Sequence, residues 1–192
     1  MRIVERLLWI IVALAVALKL LHLPLASFLL IISLSSIAMM YWVLGWLIFP
    51  FPTRKDQHIG ITILASFGLN FLCVALLFKI QVWPMSGFQS LIGIFLGSLT
   101  ILLAWLHARH RPERNVYTRN ILVRVAPLMV VVIVLYPISA RSMILFHHRG
   151  ESPQRLELWD RMYSTDNHAE KERICLQLDS LDAAEHRARL DP

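Results

Sequence analysis

Leu18-Lys19-Leu20-Leu21-His22-Leu23-Pro24-Leu25-Ala26-Ser27-Phe28 and Phe78-Lys79-Ile80-Gln81-Val82-Trp83-Pro84-Met85-Ser86-Gly87-Phe88 align at an offset of 60, with Lys, Pro and Phe in register. A long apolar run lies on each side of both segments. Proline has no backbone donor and disfavours helix in the residue before it. Each segment therefore reads as a tight turn between two helices, with the proline opening the second helix at its first position. The unit is a helical hairpin used twice. An offset of two helices gives both copies the same orientation, related by an axis near the membrane normal.

Working outward from these turns, five apolar runs approach the ~20 residues that a helix needs to cross a bilayer. They cover residues 7–23, 25–49, 59–78, 85–106 and 121–140, the last containing Arg124, Pro127 and Pro137. The runs are continuous rather than alternating, which excludes a membrane β-barrel. In lipid the backbone must satisfy its own hydrogen bonds, and that leaves helices. The expected fold is all-α: a polytopic membrane bundle of five spans over 1–144, then a polar helical tail over 145–192. The first run has a second reading. Arg2 and Arg6 before an apolar stretch with Ala13, Ala15 and Ala17 also resemble a signal peptide, although cleavage there would remove one copy of the repeat.

Composition agrees with lipid as the solvent. Hydrophobic residues make up 57% of the chain, charged residues 17%, and the mean hydropathy is +0.59. Residues 1–144 hold 12 Lys/Arg and 3 Asp/Glu, whereas 145–192 hold 7 and 10. A soluble enzyme, a disordered protein and a disulfide-rich secreted domain are excluded. Cys73 lies in an apolar run and Cys175 in the tail, so a disulfide between them is not expected.

The basic residues mark topology rather than nucleic acid, for which the chain offers no aromatic platform. Arg2, Arg6, Arg54, Lys55, Arg109, Arg111, Arg114 and Arg119 fall in connections on one side of the membrane, and only Lys19 and Lys79 on the other. Basic loops stay cytoplasmic. The amino terminus is thus expected in the cytoplasm, the protein in a bacterial inner membrane, and the tail in the periplasm.

Individual residues follow from this frame. Lys19 and Lys79 sit in the last turn of their helices, where an ammonium can snorkel towards phosphates and meet the negative helix end; a solute-contacting role is the alternative. With His22, Pro24, Trp83 and Pro84 they make up the hairpin motif at the interface. Arg109, Arg111, Arg114 and Arg119 are candidates for anionic lipid headgroups. Arg124 is expected to snorkel from one turn inside its span, with buried pairing or anionic lipid binding as the alternative. Asn70 is central in the third span and suits an interhelical hydrogen bond, and Gly93 and Gly97 suit close helix packing. His107-x-x-His110 and His147-His148 lack a third ligand, so neither a metal nor another cofactor is expected. Ser164, Asp166 and His168 lie too close together in sequence for a catalytic triad. In the tail, Ser152-Pro153 and Asp166 or Asn167 read as helix starts. Leu156, Leu158, Trp159, Met162 and Tyr163 form one apolar side, and Ile174, Leu178 and Leu181 another. A tail of that size makes only a small core, so a protein partner or self-association is expected to cover it.

The hairpins resemble a pattern, F-K-x-x-H-W-P-G-A between two spans, of small Bacteroidetes-type inner-membrane proteins that include the GldL family of gliding motility and type IX secretion. The first copy keeps Lys19, His22, Pro24 and Ala26, and the second keeps Phe78, Lys79, Trp83 and Pro84. The likeness covers residues 7–106 and implies the hairpin fold. It carries over less for energy transduction, because that family has a glutamate in its second span where this chain has Ile37 and Gly97. Glu5, Asp56 and Glu113 lie at ends or in loops, whereas a proton relay normally needs an intramembrane carboxylate.

The function expected is a non-enzymatic structural or assembly role in the membrane. The alternative is a channel or transporter component for a small, anionic solute, built around Lys19, Lys79 and Asn70. Broken helices at mid-membrane depth would favour transport, and unbroken ones the assembly role. An enzyme would show a polar cavity lined by several convergent side chains, and none is expected.

Overall fold

The computed structural model describes residues 2–21, 23, 25–48, 58–83, 85–110, 115–139, 141–143, 152–165 and 167–190. His22, Pro24, Pro84, Arg111, Arg114, His147, His148 and Asp166 lie outside them. Five long helices come first: α1 (Arg2–Leu20), α2 (Ala26–Ile48), α3 (Ile59–Ile80), α4 (Ser86–His110) and α5 (Asn115–Leu135). Two more follow, α6 (Pro153–Ser164) and α7 (His168–Leu190). No strand occurs among the described residues. Two compact units result, Met1–Pro137 and Ile138–Pro192.

Two backbone bonds recur in the turns at an offset of 60. Leu21 N–H donates to the Ala17 carbonyl and Leu23 N–H to Leu18, and sixty residues later Gln81 donates to Leu77 and Trp83 to Phe78. The Trp83–Phe78 bond at 2.9 Å, joined by Val82 N–H to the Lys79 carbonyl at 3.3 Å, forms the six-to-one and five-to-two pair of a Schellman cap. Its customary apolar contact is the edge-on packing of Phe78 and Trp83, with ring centroids 5.1 Å apart. Such a cap needs a left-handed residue, and here Val82 takes it at φ 56°, a rare backbone for a β-branched side chain. After the prolines, Leu25 at φ 73° and Met85 at φ 64° are left-handed as well. Their carbonyls accept from Leu29 and Gln89 and so open α2 and α4. Helices α2 and α4 open at Ala26 and Ser86, and the prolines that the sequence assigns to their first position lie outside the described residues.

Among the described residues four helices are long and apolar enough to cross a membrane: Ala26–Gly45 in α2, Ile59–Ile80, Ser86–His110, and Val116–Leu135 in α5. At 19 residues, α1 carries Arg2, Glu5, Arg6 and Lys19, and that charge separates it from the other four. The fifth helix also differs from expectation. It begins at Asn115 and ends at Leu135, so Arg119 lies inside the helix and Pro137 beyond it. Pro127 remains inside, and the helix runs through it unbroken.

The core of the first unit is organised by α3, which packs against α2, α4 and α5, while α1 lies against α2. Leu30, Leu34, Ile37 and Tyr41 of α2 meet Leu69, Leu72 and Cys73 of α3, with Ile121 and Val125 of α5 alongside. The buried residues of α4 are all small: Ser90, Gly93, Gly97, Thr100 and Ala104. This spacing of three and four is one helix face, and it lets two backbones approach closely. A Cβ built on Gly93 would stand 3.3 Å from the Leu72 backbone nitrogen. The apolar bulk that remains, including Phe28, Trp42, Phe67, Phe95, Leu102 and Val134, is on the outside, as lipid permits and water would not.

In the second unit α6 and α7 form a helical hairpin. Asn167 caps α7 by accepting from Ala169 N–H at 3.0 Å, and Thr165 donates to Glu170 at 2.6 Å. Ile174 and Leu178 are buried, Trp159 stacks on Tyr163, and Arg141 forks onto the carboxylate of Asp160, Nη2 to Oδ2 at 2.7 Å.

Candidate functional site

Helix alternation gathers the amino end of α1, the carboxyl end of α2 and the amino half of α5, and there the charged side chains meet. Glu5 is 6% exposed. Arg124 grips it with both arms, Nε to Oε1 at 2.6 Å and Nη2 to Oε2 at 2.9 Å. Tyr41 donates its hydroxyl to the same carboxylate at 2.7 Å, and Trp9 Nε1 lies 3.4 Å from that hydroxyl. The remaining arm of Arg124 donates to the Asn120 carbonyl at 2.9 Å. A planar guanidinium suits this bidentate task better than a lysine. Taking two charges out of water is costly, so the pair contributes specificity of assembly more surely than net stability.

These residues border a cleft of about 480 Å³ between α1, α2 and α5, with Arg6, Asn120, Val123, Pro127, Leu128 and Val131 in its walls. Two expectations are corrected here. A polar cavity with several convergent side chains is present after all, because Glu5 is helical and buried rather than fraying at a terminus. Arg124 pairs inside the bundle instead of snorkelling, because that carboxylate faces it across the helices. The sequence does carry the signal. Glu5 is the only acidic residue before Asp56, and Arg124 is the only arginine inside the five apolar runs of the sequence. A charge in a membrane helix calls for a named partner.

Beside the cleft, at the same end, Tyr117 hydroxyl lies 2.6 Å from Thr62 Oγ1 and donates to the His58 carbonyl at 3.1 Å. His107 packs edge-on to the rings of His58 and Tyr117. His110 Nδ1 is 2.8 Å from the Leu106 carbonyl. Among the described residues no group of three His, Cys, Asp or Glu converges.

The hairpin lysines are at the opposite end of the unit, both at the same end. Lys19 Nζ donates to Gln81 Oε1 at 2.7 Å, and Gln81 Nε2 donates to the Ser27 carbonyl at 3.0 Å. Gln81 thereby ties the first turn to the second. Lys79 is 8% exposed and donates to the Tyr136 carbonyl at 3.1 Å, at the end of α5. Both ammonium groups donate to protein oxygens. Asn70 Nδ2 donates to the Ala38 carbonyl at 2.9 Å, linking α3 to α2. Arg109 lies over Trp105, 5.6 Å from the ring centroid, and Arg119 is exposed on α5.

No family model, curated protein or solved structure matches this chain.

Proposed function

We propose that this chain is a five-span protein of the bacterial inner membrane with a non-enzymatic assembly role, its helical tail meeting a protein partner or a second copy. The observation that carries this reading is where the polar side chains of the helices go. Glu5 to Arg124, Thr62 to Tyr117, Asn70 to Ala38, Lys19 to Gln81 and Lys79 to Tyr136 are all ties between helices. Helices α2 to α5 are unbroken, and broken helices are what a midplane solute site usually requires.

The fifth span of this reading is α1. Its 19 residues rise about 28 Å, close to the ~30 Å hydrocarbon core. Its Glu5 meets Arg124 at one end of the bundle and its Lys19 meets Gln81 at the other, so it lies lengthwise beside the others. The recurrence of the turn bonds supports two hairpin repeats of common orientation, and the likeness to the GldL hairpin adds to it. The basic connections favour a cytoplasmic amino terminus and a periplasmic tail.

Native gels of solubilised membranes test the role. The full chain is expected in a complex beyond its own 22.1 kDa and detergent belt, and removal of residues 152–192 is expected to release it. The channel or transporter alternative draws its one specific support from the polar cleft. Flux of a small anion through proteoliposomes, lost on Lys19→Met or Lys79→Met, would favour that alternative instead.

A further inference from the structure

The cleft between α1, α2 and α5 changes character along its length. At one end are Arg6, Asn120 and the Glu5–Arg124 pair, and two arginines against one glutamate leave it one positive charge in excess. Glu5 and Arg124 engage each other, whereas Arg6 is exposed on the rim. Away from that end the wall is an apolar stripe of Val123, Pro127 and Val131, four residues apart and exposed along α5. From Asn120 to Val131 the helix rises about 16 Å, about the depth of one leaflet of a ~30 Å core.

We propose that this cleft binds one anionic glycerophospholipid. Its phosphate is held at Arg6 beside Asn120, and an acyl chain lies along Val123, Pro127 and Val131. A free phosphate would use only the rim charge, and the stripe would go unused. The inference rests on the membrane reading of α1 and α5.

The test is native mass spectrometry of the full chain, delipidated in a neutral detergent and offered dioleoyl phosphatidylglycerol or dioleoyl phosphatidylcholine. One phosphatidylglycerol is expected to bind about fivefold more tightly than phosphatidylcholine, the worth of one interfacial arginine. Arg6→Gln is expected to erase the preference and Arg6→Lys to keep it, while Lys171→Gln in the tail leaves it unchanged. Excess glycerol phosphate should not displace the lipid. Equal binding of the two lipids, an unaltered preference in Arg6→Gln, or displacement by glycerol phosphate would overturn the proposal. Carbonate extraction of the same variants reports the membrane reading separately, because that depends on the apolar spans and not on Arg6.

Discussion

Arg124 of α5 closes a bidentate ion pair on Glu5 of α1 across 119 positions of sequence. The first helix is thus tied to α5 by a charged pair. Removing one partner leaves an uncompensated buried charge, which costs about 3–5 kcal/mol. Arg124→Gln and Glu5→Gln are each expected to lower stability by that order in denaturant titration of the detergent-solubilised protein. The double variant should lose clearly less than the sum. Strict additivity would mean that the pair is not formed.

Tyr41→Phe removes a hydroxyl that donates to the Glu5 carboxylate. A hydrogen bond to a charged group is worth about 1.5–3 kcal/mol. A loss in that range is expected from the same titration, and it should shrink in a Glu5→Gln background, where the acceptor is neutral. Its persistence there at full size would show that the hydroxyl acts through another partner.

Gly93 and Gly87 share helix α4 but have opposite surroundings. A Cβ at Gly93 meets the Leu72 backbone at 3.3 Å, whereas nothing lies within 4 Å of one at Gly87. Gly93→Val is expected to destabilise by about 1–3 kcal/mol through overpacking. Gly87→Ala is expected to be neutral or to stabilise by about 0.5–1 kcal/mol. Thermal unfolding in detergent separates the two.

Val82 holds a left-handed backbone at φ 56° to complete its cap. That conformation costs a residue with a Cβ roughly 1–2 kcal/mol, and glycine adopts it freely. Val82→Gly is therefore expected to raise the unfolding midpoint, an unusual outcome for a substitution to glycine. A fall would mean that side-chain packing outweighs the backbone.

Outside the membrane-spanning helices, the Arg141 guanidinium on Asp160 holds that carboxyl below its ordinary value. A carboxyl lowered by folding contributes stability above its unfolded pKa, and the contribution is lost as pH falls through the folded one. Carboxyl NMR of the full chain should place the Asp160 midpoint below the usual ~3.9. Arg141→Gln should return it to that value.

Most of the architecture could be read from the chain because lipid punishes exposed backbone so heavily that continuous apolar runs admit one answer. Leu23 N–H donates to the Leu18 carbonyl as Trp83 N–H donates to Phe78, the one bond across each turn that the shared Lys-x-x-x-x-Pro spacing points to. What remained hidden depends on tertiary partners. Polarity alone marks Tyr117 and Arg119 as loop neighbours, yet Tyr117 is buried against Thr62 and draws α5 several residues earlier. Gly93 and Gly97 are visible as a pair, but Ser90, Thr100 and Ala104 complete their face only once Leu72 is placed opposite. Gln81 looks like an ordinary turn residue, and its role depends on the first hairpin lying beside the second.

The side of the membrane on which each end lies tests the five-span account most directly. Cys175 is exposed on α7 and Cys73 is buried, so native Cys175 reports the tail. Ile3→Cys in a Cys175→Ser background reports the start of α1, where Ile3 is 73% exposed. With a membrane-impermeant maleimide on intact spheroplasts, Cys175 is expected to label directly, and the thiol introduced by Ile3→Cys only after lysis. Labelling of both from the same side would show that α1 does not cross, and would contradict the account.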